Sequence, residues 1–184
     1  MENIPYINFS TGGHQVVVRK IQPGDLDLLL EYFTYLGPET RSRFGPHAFD
    51  RETLIQIYLN SLNYLGYIAI ENETGKIIAY SVIKIGYLEH DSDRLCSYGL
   101  TLDARKDCTY APSVSDEWQS LGVGKAMFQF ILTSLIASGF KRIILWGGVQ
   151  SKNEKAVNFY RNAGFRKLGT FEYKGMNTDM CLDL

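Results

Sequence analysis

The sequence predicts a single α/β domain over residues 1–184, with a mixed, mainly antiparallel sheet of six to seven strands flanked by about four helices. Three observations predict it. Short β-branched and aromatic runs lie in pairs separated by turn residues, the pattern of hairpins. Apolar residues recur at helical spacing in four other stretches. A chain of 184 residues, 45% of them hydrophobic, also has enough apolar side chains for one core of ordinary domain size.

Along the chain, "HQVVVRKI" (14–21) reads as a short strand, and "QPGD" after it ends in an acid suited to capping a helix. "DLDLLLEYFTYLG" (25–37) follows as a helix stopped by Gly37-Pro38. "DRETLIQIYLNSL" (50–62) is a second helix with Leu54, Ile57, Tyr58 and Leu62 on one stripe, and the basic, aromatic "PETRSRFGPHAF" between them reads as irregular. "YLGYIAIEN" and "KIIAYSVIKIGYLE" form a hairpin around Glu73 to Gly75. In residues 88–108, "RLCSYGLTL" is compatible with a strand between exposed turns.

"CTYAPSV" (108–114) is strand-like, although Pro112 cannot donate to a ladder and marks a bulge or an interrupted edge. The helix over 122–138 is apolar nearly all round, which predicts burial on much of its circumference, and Gly139 suits its end. "KRIILWGGV" is the continuous apolar run of a strand covered on both faces. "NEKAVNFYRNAGF" (153–165) begins with an N-capping Asn and an acid in its first turn, and ends with Gly164-Phe165 as a Schellman-like stop. The alternating tail closes as a hairpin turning at Lys174-Gly175, with "MNTDMCLDL" available as a strand edge for a partner.

Lys plus Arg (19) nearly balance Asp plus Glu (20), so bulk charge gives no basis for binding nucleic acid. Cys96, Cys108 and Cys181 are odd in number and widely spaced, without zinc-ligand spacing, and are expected to be reduced core fillers with no metal. The start has neither a basic n-region nor an apolar h-region, and no stretch reaches the length of a membrane span. A soluble, cytoplasmic protein that does not engage membranes is expected. Asn8 and Asn72 match the glycosylation pattern, but carry no weight without a secretion signal.

Within "DEWQSLGVGKAMFQF" (116–130), Gly122 and Gly124 open an apolar helix directly after a polar turn. Glycines there expose unpaired backbone N–H groups at the positive end of a helix, which is an anion seat. A Walker A loop would need Gly at 119 and Ser or Thr at 126, where Gln119 and Ala126 stand. A dinucleotide fingerprint would need Gly at 127, where Met127 stands. Both patterns fail, which counts against a nucleotide-phosphate enzyme.

What fits is Gln119-x-x-Gly122-x-Gly124, placed after a strand ending at Val114. With its flanks, "VSDEWQSLGVGKAMFQFIL" resembles the pyrophosphate-binding segment of the GNAT superfamily of acyl-CoA-dependent N-acetyltransferases. "NEKAVNFYRNAGFRKLG" is similar to that superfamily's second element, a helix of pattern Asn-x-x-Ala-x-x-x-Tyr-x-x-x-Gly-Phe. The resemblance covers most of the chain, with specific motifs in residues 110–165. It implies a sheet splayed near Val114 and Val149, and acetyl-CoA as cosubstrate. Its pyrophosphate would lie against the backbone of Gln119, Ser120, Leu121, Gly122, Val123, Gly124 and Lys125. The pantetheine arm would run past Val114 and the helix face shared by Asn153, Ala156 and Tyr160, which lie at offsets of three and four.

Tyr160 matches the tyrosine that in many members protonates the departing thiolate. A phenol of ordinary pKa about 10 holds its proton at neutral pH and can give it to a thiolate of pKa about 8.5. A backbone N–H near Ser113 to Ser115 is expected to face the acyl carbonyl. No base can be carried over from the family. Glu89, His90, Asp91, Asp103 and Asp107 flank the central strands, while Asp116 and Glu117 read as helix-entry acids. Arg41, Arg43, Phe44 and His47 lie in the segment that usually bounds the acceptor pocket. The function implied is transfer of an acetyl group to a primary amine of a small molecule or peptide, by a monomer or homodimer. The alternative is an acyl-CoA sensor of the same fold without turnover.

Overall fold

The computed structural model describes residues 5–184. Its elements are β1 (Tyr6–Thr11), β2 (His14–Lys20), α1 (Leu26–Tyr35), α2 (Pro38–Arg43), α3 (Arg51–Tyr58), β3 (Tyr64–Glu71), β4 (Ile77–Ile85), α4 (Ser92–Ser97) and β5 (Asp107–Val114). They continue with α5 (Val123–Ala137), β6 (Arg142–Leu145), β7 (Val149–Gln150), α6 (Glu154–Asn162), β8 (Arg166–Glu172) and β9 (Met176–Asp183). Two compact units divide them: the chain up to Val82 with Pro112–Thr133, and Ile83–Ala111 with Ser134–Leu184. β4, β5 and α5 run from one unit into the other.

In the first unit β1 pairs with β2 through Gly12 and Gly13, whose φ values of 57° and 86° suit a tight hairpin turn. The sequence reading did not anticipate β1. β2 pairs antiparallel with β3 from Val16↔Glu71 to Lys20↔Tyr67, and β4 is the next neighbour of β3. The turn after β3 is held by Glu71, whose carboxylate accepts from the Glu73 and Thr74 N–H groups. α1 buries Leu26, Leu29, Tyr32 and Phe33.

Pro38 both stops α1 and opens α2, where a missing N–H costs nothing, so the stretch expected to be irregular begins as a helix. α3 is capped by Asp50, which accepts from Thr53 N at 2.8 Å. It ends at Tyr58, short of the expected 62, and Leu62 is left 93% exposed. α5 buries one stripe, Val123, Met127, Phe128, Ile131 and Leu135, whereas Ile136 is 55% exposed. Its burial is therefore narrower than its composition suggested.

In the second unit β5 and β6 are parallel, and β9 pairs antiparallel with β6, β7 and β8. β9 is thus an interior strand, which corrects the expectation that the tail offers an edge. Among the described residues β8 has β9 as its single partner strand. The stretch read as a strand at 94–102 begins instead as α4. Arg94 binds the buried Asp91 at 2.8 Å one helical turn away, reaches the buried Asp179 at 2.8 Å, and lies 3.7 Å from the Phe171 ring centroid. Leu95 then packs with Leu100, Ile144 and Cys181.

Nine strands and six helices are present among the described residues, more than the expected six to seven and about four. The excess comes from β1, the short α2 and α4, and a strand divided into β6 and β7. The mixed, mainly antiparallel α/β class holds. Cys108 and Cys181 are buried and Cys96 is exposed, all as free thiols. Burial pushes the Cys108 thiol up to about 12. Among the described residues no helix is long and apolar enough to cross a membrane.

The divided strand gives a test. Gly148 has φ 71°, and a Cβ there would lie 2.9 Å from the Thr178 carbonyl oxygen and from the Phe171 ring, while Gly13 has φ 86° with open space around it. By urea unfolding, Gly13→Ala is expected to cost about 1 kcal/mol, the backbone penalty alone. Gly148→Ala is expected to cost about 2–4 kcal/mol, because the contacted carbonyl is fixed beside the sheet.

Candidate active site

The parallel pairing of β5 and β6 runs from Asp107↔Arg142 to Tyr110↔Leu145 and ends when Trp146 N–H donates to Tyr110 O at 3.0 Å. Gly147 and Gly148, both with left-handed φ, then turn the chain away, and β7 is held by β9 at Val149↔Thr178. The parallel ladder therefore ends after Tyr110 and Leu145, four residues before the Val114 and Val149 of the expectation. α6 follows, with Asn153 accepting from Ala156 N at 3.2 Å as its cap and the Phe165 N–H donating back to Tyr160 O at 3.0 Å past Gly164. Tyr160 is 8% exposed, edge-on to Tyr110 and Phe165. Its hydroxyl has no hydrogen-bond partner among the described residues, and burial, then the neighbouring Tyr110, raise its pKa well above the ordinary phenol value. Asn153 and Ala156 are half-buried on the same helix.

In the first unit the turn before α5 has two left-handed residues, Ser120 at φ 65° and Gly122 at φ 87°. The first intrahelical bond runs from Ala126 N to Gly122 O, so the N–H groups of Gly122 to Lys125 have no carbonyl of their own helix to meet. Nothing lies within 4 Å of where a Gly122 Cβ would stand. Gly122 is therefore required by its backbone conformation, and a side chain there would project into the space before the helix. Ser120, Leu121 and Lys125 are exposed, whereas Val123 is fully buried.

This turn is fastened from three directions. The Thr11 hydroxyl donates to Leu121 O. Gln119 Nε2 lies 3.2 Å from Val114 O and 3.1 Å from the Thr40 hydroxyl. Asp116 accepts from Gly37 N at 2.7 Å and from the Thr40 hydroxyl at 2.6 Å. Asp116 is thus not an entry acid for α5; it holds the start of α2. Thr11, Thr40 and Asp116 were missed because their partners lie 76 to 110 residues away and no local spacing announces them.

The other expected polar groups serve the fold. The Ser115 N–H, one of those expected to face an acyl carbonyl, donates to Ile78 O at 2.9 Å. Ser113 accepts from the buried Tyr32 hydroxyl at 2.9 Å. Arg41 donates to Phe33 O, and Arg43 pairs with Glu39. Asp91 is held by Arg94, and Asp107 is buried and accepts from Asp103 N at 2.8 Å. Phe44 is buried. His14, Glu71 and Glu73 bring ligand-type atoms within 4.8 Å of one another. Glu71 is committed to its own turn, so the group reads as turn architecture rather than a metal centre.

His47 does more than line a loop. Its Nδ1 lies 2.8 Å from Ala48 O, which can only accept, so this nitrogen carries the proton. Nε2 then accepts from Tyr80 Oη at 2.7 Å, and Tyr80 in turn accepts from Tyr58 Oη at 2.5 Å. Phe33 and Phe49 stack at 4.2 Å beside this chain, and Phe33 also meets the Tyr80 ring edge-on.

A family model described as "Acetyltransferase (GNAT) family" matches residues 29–165, a span containing both the α5 turn and α6. The chain belongs to the GNAT acetyltransferases. No curated protein matches it. Among solved structures, the GNAT domain of S. lividans PAT is similar with TM-score 0.74 and 19% identity, covering 97% of each chain. The ribosomal-protein-S5-alanine acetyltransferase from Vibrio fischeri is similar with TM-score 0.72 and 16% identity, covering 96% of each. A GNAT-family acetyltransferase from Streptococcus pneumoniae gives TM-score 0.67 and 18% identity, covering 92% of this chain and 99% of that one. At these identities the likeness carries the GNAT fold.

Burial lowers the His47 pKa from its ordinary 6.5, outweighing the Ala48 carbonyl and Asp50. A histidine whose folded pKa is depressed contributes stability that is complete above the unfolded value and is lost as pH falls through the folded one. The GNAT chain is therefore expected to lose melting temperature as pH falls below the ordinary histidine value of about 6.5. His47→Gln, which cannot take up a proton, is expected to remove much of that loss, as followed by thermal unfolding across pH.

Proposed function

We propose that this GNAT chain transfers an acetyl group from acetyl-CoA to a primary amine by direct attack in a ternary complex. The observation that carries the reading is the Ser120–Gly122 turn, which leaves the first N–H groups of a fifteen-residue helix without carbonyl partners in that helix and has open space beside Gly122. Such an end suits a pyrophosphate through directed hydrogen bonds and the helix dipole. Lys125 adds an exposed cation in the first turn. The α6 face of Asn153, Ala156 and Tyr160 suits the pantetheine arm, with the Asn153 amide nitrogen free to donate while its oxygen caps the helix.

In this reading the amine nitrogen attacks the thioester carbonyl, forming a C–N bond as the C–S bond breaks. The amine loses a proton and the departing sulfur gains one. Tyr160 supplies the latter: burial keeps its phenol protonated, and the same desolvation raises the proton affinity of a thiolate beside it. The free thiols support a reducing, cytoplasmic setting. The acceptor, a small-molecule or peptide amine, is left to screening.

Acetyl-CoA at about 100 times its Kd is expected to raise the Tm by roughly 5–10 °C, with no shift from ATP or NAD. A folded Gly122→Glu variant should lose the shift, since its side chain carries a negative charge into the seat. No shift with saturating acetyl-CoA in the parent protein would overturn the cofactor site. Tyr160→Phe should keep the shift and lose about 10²-fold in kcat. Binding by the parent without transfer to any amine would instead make the chain an acyl-CoA sensor.

A further inference from the structure

On α6, Val157 lies four residues after Asn153 and three before Tyr160 and so borders their face; with Arg161 it lines an open groove of about 560 Å³ beside β8 and β9. Its floor is the buried Phe165 and Met180 with the half-buried Val157 beside them, and its cations are Arg161, Arg166 and Lys167, with no acid in the lining. Arg166 shares the exposed Asp183 at 3.1 Å. Arg161 and Lys167 have no carboxylate partner among the described residues.

The backbone places these groups deliberately. β8 shifts register between Lys167 and Gly169, so that Lys167 is opposite Met180 while Thr170 is opposite Thr178. Paired residues point to the same face, so Lys167 and Thr170 both join the groove, although three apart. The intervening Leu168 packs on the other face against the cluster of Leu95, Leu100, Ile144 and Cys181. Without the bulge, strict alternation would put Lys167 and Thr170 on opposite faces. With Arg166 paired to Asp183, Arg161 and Lys167 are two like charges on one groove, and an anion between them would offset their repulsion.

We propose that this groove binds a small amphipathic anion: one carboxylate or phosphate head between Arg161 and Lys167, with an apolar body on Val157, Phe165 and Met180. The volume falls in the range of small-molecule sites. The residues are distinct from those assigned to acetyl-CoA, so the site does not depend on the acetyl-transfer reading.

The test is an amide ¹H–¹⁵N titration of the whole chain, without acetyl-CoA, using octanoate, octyl phosphate, octylammonium and inorganic phosphate. Saturable shifts confined to residues 157–170 and 176–180 are expected with octanoate, octyl phosphate or both, and the stronger of the two identifies the head. Octylammonium should give none, and inorganic phosphate should bind at least about tenfold more weakly than octyl phosphate. Arg161→Glu with Lys167→Glu, both on exposed positions, should keep a dispersed spectrum and weaken binding by about tenfold or more. The proposal is overturned if neither octyl anion gives saturable shifts, if octylammonium binds equally well, or if inorganic phosphate matches octyl phosphate. It is equally overturned if the folded double variant binds as the parent does.

Discussion

The opening of the β5–β6 pair is the constraint on which the second unit depends. Two parallel strands joined by Tyr110↔Leu145 would ordinarily continue their ladder. Here two successive left-handed glycines redirect the chain within two residues, and β9 takes up the hydrogen bonds that β5 no longer shares. Backbone polar groups in a buried sheet need partners, so the break is tolerated because β9 is long enough to serve β6 and β7 in turn. The same redirection sets where α6 begins, and so brings Tyr160 against Tyr110.

Much of this was legible from local chemistry. The cap, acid and Gly-Phe ending of α6, the hairpin turns at Gly75 and Lys174-Gly175, and the apolar run of β6 are signals carried within a few residues, and the structure follows them. The Gln-x-x-Gly-x-Gly turn was also readable, because a helix N-terminus needs a conformation that few residue types supply.

What was not legible depends on distance. α4 forms because Arg94 meets Asp179, 85 residues away, as well as Asp91, and propensity alone could not foresee that partner. β1 is an edge strand with no fully buried residue, visible in hindsight only through the Gly12-Gly13 turn. Arg41, Arg43 and His47 looked like recognition groups because exposed cations and imidazoles usually are solvated or functional. Phe33 O, Glu39 and Tyr80 claim them instead. Asp116 was read by its position before a helix, which is sound for a local cap but silent about α2.

That carboxylate has a mechanical consequence. One short side chain secures the entry of α2, and it stands three residues before Gln119, which also reaches Thr40. The two segments therefore behave as parts of one hinge plate rather than as independent loops. A molecule that displaces α2 disturbs the approach to α5, and one that orders the α5 turn stiffens α2. Linkage makes the two effects equal in size.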